Sequence, residues 1–119
     1  MKKSETPIIH TNFWHWGRKD TIIIAGGRAM CELSVEYENP NVAYLSDLIV
    51  YVSSRGRGLG RQLLQLATER AKRIGAKRIV LWSDVDDWPI EWYKRNGFVE
   101  YQRHSDNGLA MLQKILWPE

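Results

Sequence analysis

The chain has 119 residues, 44% hydrophobic and 26% charged, which suits one globular domain and excludes a disordered or fibrous chain. Its formal net charge of +3 is a modest surplus, and a single cysteine, Cys31, excludes an intrachain disulfide and a cysteine-based metal cluster. No run approaches the length of a transmembrane helix, and residues 4–12 offer no apolar core for secretion, so the expectation is a cytoplasmic chain with no membrane partner.

Residues 1–7 read as a loose tail of one domain spanning 1–119. Residues 8–16 hold Ile8, Ile9, Phe13, Trp14 and Trp16 among polar residues and read as a first strand, with a turn over 17–20. The β-branched run 21–25 is a second strand, broken by Gly26 and Gly27. Residues 28–37 alternate Met30, Glu32, Ser34 and Glu36 against Ala29, Cys31, Leu33 and Val35, a third strand with one wet face. After a turn at 38–41, residues 42–52 form a long, mostly apolar fourth strand that should be central.

A glycine-rich bend follows, in which Gly56, Gly58 and Gly60 alternate with Arg55, Arg57, Leu59 and Arg61. Glycine lets the backbone turn sharply and approach a ligand closely. Successive N–H groups at such a bend, backed by a helix N-terminus, make a concave anion site. The arginines add forked donors suited to phosphate, so residues 55–61 read as a pyrophosphate cradle. A Walker loop would need Gly-Lys-Ser/Thr, and the dinucleotide fingerprint needs G-x-G-x-x-G; neither is present. Between Arg55 and Arg78 stand eight basic residues and one acidic residue, Glu69, a cluster that a polyphosphate ligand explains. Nucleic acid is the rival partner, but no recognition-helix or zinc motif supports it.

Apolar residues at 59, 63, 66, 67, 71 and 74 line one face of a helix that Gly75 stops. Residues 78–82 form a short buried strand, parallel to the fourth because a helix connects them. Residues 83–87 form a polar loop able to cap the helix at 90–95, where Pro89 is well placed. A strand at 98–103, a turn at 105–108 and a strand at 109–116 complete the chain.

Arg55-x-x-Gly58-x-Gly60 after an apolar strand resembles the Arg/Gln-x-x-Gly-x-Gly/Ala signature of the GNAT superfamily of acyl-CoA-dependent N-acyltransferases. Leu48, Val50 and Val52 stand where that family has Leu-x-Val-x-Pro, with Val52 in place of proline. Trp92-Tyr93-Lys94-Arg95-Asn96-Gly97-Phe98 is similar to its Phe/Leu-Tyr-x-x-x-Gly-Phe. The element order matches over residues 8–116 and implies an α/β fold: a mixed sheet of four antiparallel strands, then helix, parallel strand, helix and C-terminal hairpin. One departure is large, because the family usually inserts two helices between its first two strands, and they form one wall of the acceptor site.

The resemblance implies an N-acetyltransferase that moves an acetyl group from acetyl-CoA to a primary amine, on a small molecule or a peptide. It implies that pantetheine binds along the backbone of Leu48, Ile49 and Val50, and pyrophosphate along Arg55, Gly56, Arg57, Gly58, Leu59, Gly60 and Arg61. It assigns Tyr93 as the acid that protonates the leaving thiolate. Asp86 and Pro89 stand where the family often has asparagine and alanine, and Asp86 either accepts from pantetheine or caps the helix. The base stays open among Asp47, Tyr44, Glu32, Glu36 and a water relayed to backbone. His10, His15 and His104 have no metal-ligand spacing, and no metal is expected. The missing helices leave an open groove, or one completed by the tail or by a second subunit as a homodimer. The alternative to an enzyme is a non-catalytic acyl-CoA-binding module.

Overall fold

In a computed structural model, residues 6–83, 90–103 and 109–117 are described. They form a seven-stranded mixed sheet and two α-helices. The strands are β1 (Ile8–Trp14), β2 (Gly17–Ile24), β3 (Ala29–Glu36), β4 (Asn39–Val50), β5 (Arg78–Ser83), β6 (Val99–Arg103) and β7 (Ala110–Ile115). The helices are α1 (Leu59–Arg73) and α2 (Ile90–Arg95). The sheet order is β1-β2-β3-β4-β5-β7-β6, antiparallel throughout except for the parallel β4–β5 pair that α1 bridges.

The two-residue period of β3 separates its faces as the alternation requires. Ala29, Cys31, Leu33 and Val35 are buried, and they join Ile22, Ile24, Ala43 and Leu45 beneath α1. From α1 the stripe Leu63, Leu64, Ala67 and Ala71 closes that core. The alanines let the helix sit close to the strands, and Leu63, fully enclosed, would cost about 2–5 kcal/mol if cut to alanine. Burial, with a smaller push from Glu32, drives the Cys31 thiol up to about 12, so this cysteine is an inert core residue.

The residues 17–20 were expected to form a turn, but they belong to β2. Trp14 pairs with Gly17, so His15 and Trp16 alone make the bend of a tight hairpin. Gly17 is required there by packing: a Cβ would run into the carbonyl oxygen of Val35 on β3. The hairpin therefore joins β1 to β2 with no room for inserted helices. Smaller shifts occur elsewhere. Ala25–Gly27 is a 3-10 turn, β4 begins at Asn39 and ends at Val50, and Val52–Ser54 is a second 3-10 turn. The expected turn at 105–108 lies outside the described residues.

Both helices lie on the same face of the sheet. Lys114 of β7 pairs with Ile79, whose side chain belongs to the core beneath α1, and Lys114 lines one cavity with residues of both helices. The opposite face carries Met30, Glu32, Ser34, Tyr44 and Ile49, and no helix covers it among the described residues.

Candidate functional site

The β4–β5 ladder is short. Among the described residues it pairs only Val42, Ala43 and Tyr44 with Arg78, Ile79 and Val80. Beyond these positions β4 continues to Val50 along β3 alone, while β5 continues to Ser83 along β7. The two central strands thus part on the side leading to the glycine bend. On the way, β4 slips register between the pairs Glu32–Ser46 and Met30–Ile49, and Asp47 takes a positive φ of 52°. A non-glycine residue in that region is strained by the order of 1–3 kcal/mol, and such strain concentrates where a strand is bent for use. The bulge leaves Leu48 and Val50 buried and turns Ile49 outward, 46% exposed.

From Val50 the chain turns through Val52–Ser54 into the bend. The Arg55 Nε donates to the Val50 carbonyl at 3.2 Å, which ties the loop back to the strand end. Arg55, expected to serve a phosphate, is exposed and uses only its Nε in this bond. Gly56 and Gly58 have φ of 81° and 77°, the left-handed region that L side chains avoid. Gly58 is also the N-cap of α1, and no side chain caps that helix end. No acidic residue stands in the first turn, while Arg57 and Arg61 are exposed beside it. A helix end without a side-chain cap, its positive dipole and two exposed guanidiniums are features that suit an anion.

Next to it, across Arg61, lies a cavity of about 560 Å³ lined by Arg61, Leu64, Gln65, Trp92, Asn96 and Lys114, with Arg95 at its wall. Its lining includes one basic residue from each of α1, α2 and β7, together with Trp92. Sequence reading did not foresee that Arg95, Lys114 and Trp92 line this cavity, because a basic residue on a short helix and another on a distant strand give no local signal. The Asn96 Nδ2 donates to the Trp92 carbonyl at 2.8 Å, closing the end of α2.

Tyr93, on α2, is 6% exposed and packs edge-on against Trp92 and Phe98 at ring-centroid distances of 5.2 and 5.8 Å. It belongs to the same core cluster that holds Leu48 and Val50 of β4. Asp86, Pro89 and His104 lie outside the described residues.

The acidic candidates sit on the uncovered face. A hydrogen bond that the protonated Glu32 carboxyl donates to Asp47, and then burial, raise the Glu32 group above its ordinary range, and Lys19 at 3.8 Å offsets part of this. Glu36, His10 and His15 are exposed. No group of three or more metal-ligating side chains occurs among the described residues. Among them, too, no helix is long and apolar enough to cross a membrane.

Residues 10–98 match the family model described as Acetyltransferase (GNAT) family. An uncharacterised N-acetyltransferase of Methanocaldococcus jannaschii is 38% identical over 71 residues, which are 59% of this chain and 31% of that protein. N-alpha-acetyltransferase 30 of Schizosaccharomyces pombe is 30% identical over 96 residues, 77% of this chain and 64% of that protein. The matched stretches thus span less than two thirds of either relative. Among solved structures, N-acetylglutamate synthase from Neisseria gonorrhoeae complexed with coenzyme A and N-acetyl-glutamate superposes with a TM-score of 0.67 at 18% identity, over 84% of this chain and 26% of that one. That likeness is one of fold.

Proposed function

The chain belongs to the GNAT family of acetyltransferases, and from that membership we propose that it moves an acetyl group from acetyl-CoA to a primary amine by direct attack on the thioester. The observation that carries the reading is the parting of β4 from β5 beside a glycine bend and an uncapped helix N-terminus. A pantetheine arm fits a gap between strands, and a diphosphate fits the bend. The Neisseria synthase, whose structure holds coenzyme A, supports the same ligand here.

In this reading the backbone from Gly56 to Gly60 and the α1 N-terminus hold the pyrophosphate, with Arg57 and Arg61 adding charge. Leu48, Ile49 and Val50 hold pantetheine through their main chain, and backbone N–H of β4 stabilises the oxyanion. The amine lone pair attacks the carbonyl carbon, the carbon–sulfur bond breaks, and the Tyr93 phenol passes its proton to the departing thiolate. The amine proton leaves through water or a carboxylate of the Glu32–Asp47 pair. A thiolate whose thiol has an unperturbed pKa of about 8.5 accepts a proton from a phenol of about 10 only with help from position, and fixed position is what the packed ring supplies.

Among the described residues no helix covers the second sheet face, which leaves the acceptor side open. An open side suits the amine of a peptide or protein better than a small metabolite, and the name of the Schizosaccharomyces relative, an N-alpha-acetyltransferase, supports that class. The same openness favours a second reading, a module that binds acyl-CoA without turnover. Thiol release from acetyl-CoA with a panel of peptide and small amines separates the two. The expected result is turnover that Tyr93→Phe lowers about a hundredfold in kcat with little change in KM for acetyl-CoA. Coenzyme A binding by calorimetry without turnover on any amine would establish the module, and absence of binding would remove both readings.

A further inference from the structure

The two edges of the sheet are built differently. At one edge, β6 is five residues long, and a register shift interrupts its pairing with β7 between Glu100 and Gln102. It also carries Glu100 and Arg103, paired at 2.8 Å. Shortness, a bulge and charge are the devices that keep an edge from pairing with another chain. At the other edge, β1 has none of them. Its seven residues, Ile-Ile-His-Thr-Asn-Phe-Trp, include no charged side chain and no proline, and all seven pair with β2 in unbroken register. Ile8, Ile9, Phe13 and Trp14 are exposed, Phe13 at 65%. Alternate residues of this strand direct their N–H and C=O groups away from β2, where nothing in the described chain meets them.

We propose that β1 is a homodimer interface, pairing antiparallel with β1 of a second copy about a two-fold axis at Thr11. The occupant follows from the order of the residues. An isologous contact must be complementary to itself when reversed. Reversing β1 about Thr11 sets Ile9 opposite the partner's Phe13 on the α1 side of the sheet. On the other side it sets Ile8 opposite the partner's Trp14, and His10 opposite the partner's Asn12. Each apolar contact is β-branched against aromatic, a stabilising kind of cross-strand pair, and no like charges meet. The charges nearest this edge, Arg18 over the Phe13 ring and Lys19 over the Trp14 ring, stand on β2, and β1 itself offers a partner only neutral side chains. The two sheets become one, and the helix-free faces of both copies become continuous. This inference does not depend on the acetyl-transfer reading, since it concerns the edge farthest in the sheet from α2.

The test is sedimentation of the full chain over about a hundredfold range of concentration, with two double variants. Ile9→Lys with Phe13→Lys places like charges across both pairs of the axis. Ile9→Glu with Phe13→Lys places opposite charges across them. Both lose the same apolar groups and the same Phe13–Arg18 contact, and both keep Thr11, which bonds to Asp20. Far-ultraviolet dichroism and thermal melting establish that each is folded. The wild type is expected to dimerise with rising concentration. The Lys/Lys variant should weaken the dimer by at least about tenfold relative to the Glu/Lys variant. A wild type that stays monomeric throughout overturns the proposal, and so does a dimer that the two variants weaken equally or not at all.

Discussion

The Asp20 carboxylate meets the Arg70 guanidinium at 2.9 Å, joining β2 to α1 across 50 positions of chain. Thr11 of β1 donates to the same carboxylate at 2.6 Å, and the Arg18 Nη2 donates at 3.0 and 3.2 Å. One fully buried acid thus fastens the N-terminal hairpin to the helix that follows the glycine bend.

Removing that acid leaves two partly buried arginines without their shared partner. Asp20→Asn should destabilise the chain by about 3 kcal/mol near neutral pH, measured by urea unfolding. Burial by itself pushes the Asp20 carboxyl up, but the bonds from Arg70, Thr11 and Arg18 together outweigh it and hold the group below the ordinary carboxylate range. Its stabilisation is therefore complete above the unfolded value of about 3.9 and disappears as pH falls through the lower folded value. The gap between wild type and Asp20→Asn should be constant from neutral pH to about 5 and shrink in stronger acid.

Gly58→Ala tests the cradle apart from packing. A Cβ at Gly58 would meet nothing within 4 Å, so the cost is backbone strain at φ 77°, about 1–2 kcal/mol. Relief of that strain must reshape the loop, and coenzyme A affinity should fall about tenfold while the fold survives. Gly17→Ala is the contrast. There the clash with Val35 backbone should lower the melting temperature without a specific effect on coenzyme A in the fraction that remains folded.

Arg95→Ala and Lys114→Ala test the basic cavity that Arg61 connects to the cradle. Each should weaken coenzyme A several-fold and flatten the dependence of affinity on salt, since a point charge near a polyanion acts through screened attraction. Calorimetry at low and moderate salt measures both effects. Unchanged affinity in both variants would place the nucleotide elsewhere.

Glu32→Gln tests the acidic pair at the β4 bulge. The bond to Asp47, then burial, raises the folded value of the Glu32 carboxyl, so its protonated form contributes stability that is present in acid and is lost as pH rises through that value. Wild type should therefore lose stability relative to Glu32→Gln between about pH 4 and neutrality, and Asp47→Asn should flatten that slope. Denaturation curves at several pH values decide it.

Much of the fold was legible because its signals are local. The alternation of residues 28–37, the helical stripe ending at Gly75, and Gly56, Gly58 and Gly60 after an apolar strand each reflect a backbone preference that neighbours within a turn or two enforce. The misplaced first turn shows the limit of such signals. Gly17 looked like a turn residue, yet its need for glycine comes from Val35 on another strand.

The sequence by itself determined the strand and helix order, the glycine bend at the head of α1 and the family to which these belong. Only the tertiary structure decided where β4 leaves β5, that both helices share one face, that Arg61, Arg95 and Lys114 surround one cavity, and that Asp20 holds Arg70. Those relations join residues tens of positions apart, and a contact of that kind exists only once the sheet has fixed the register that brings its two sides together.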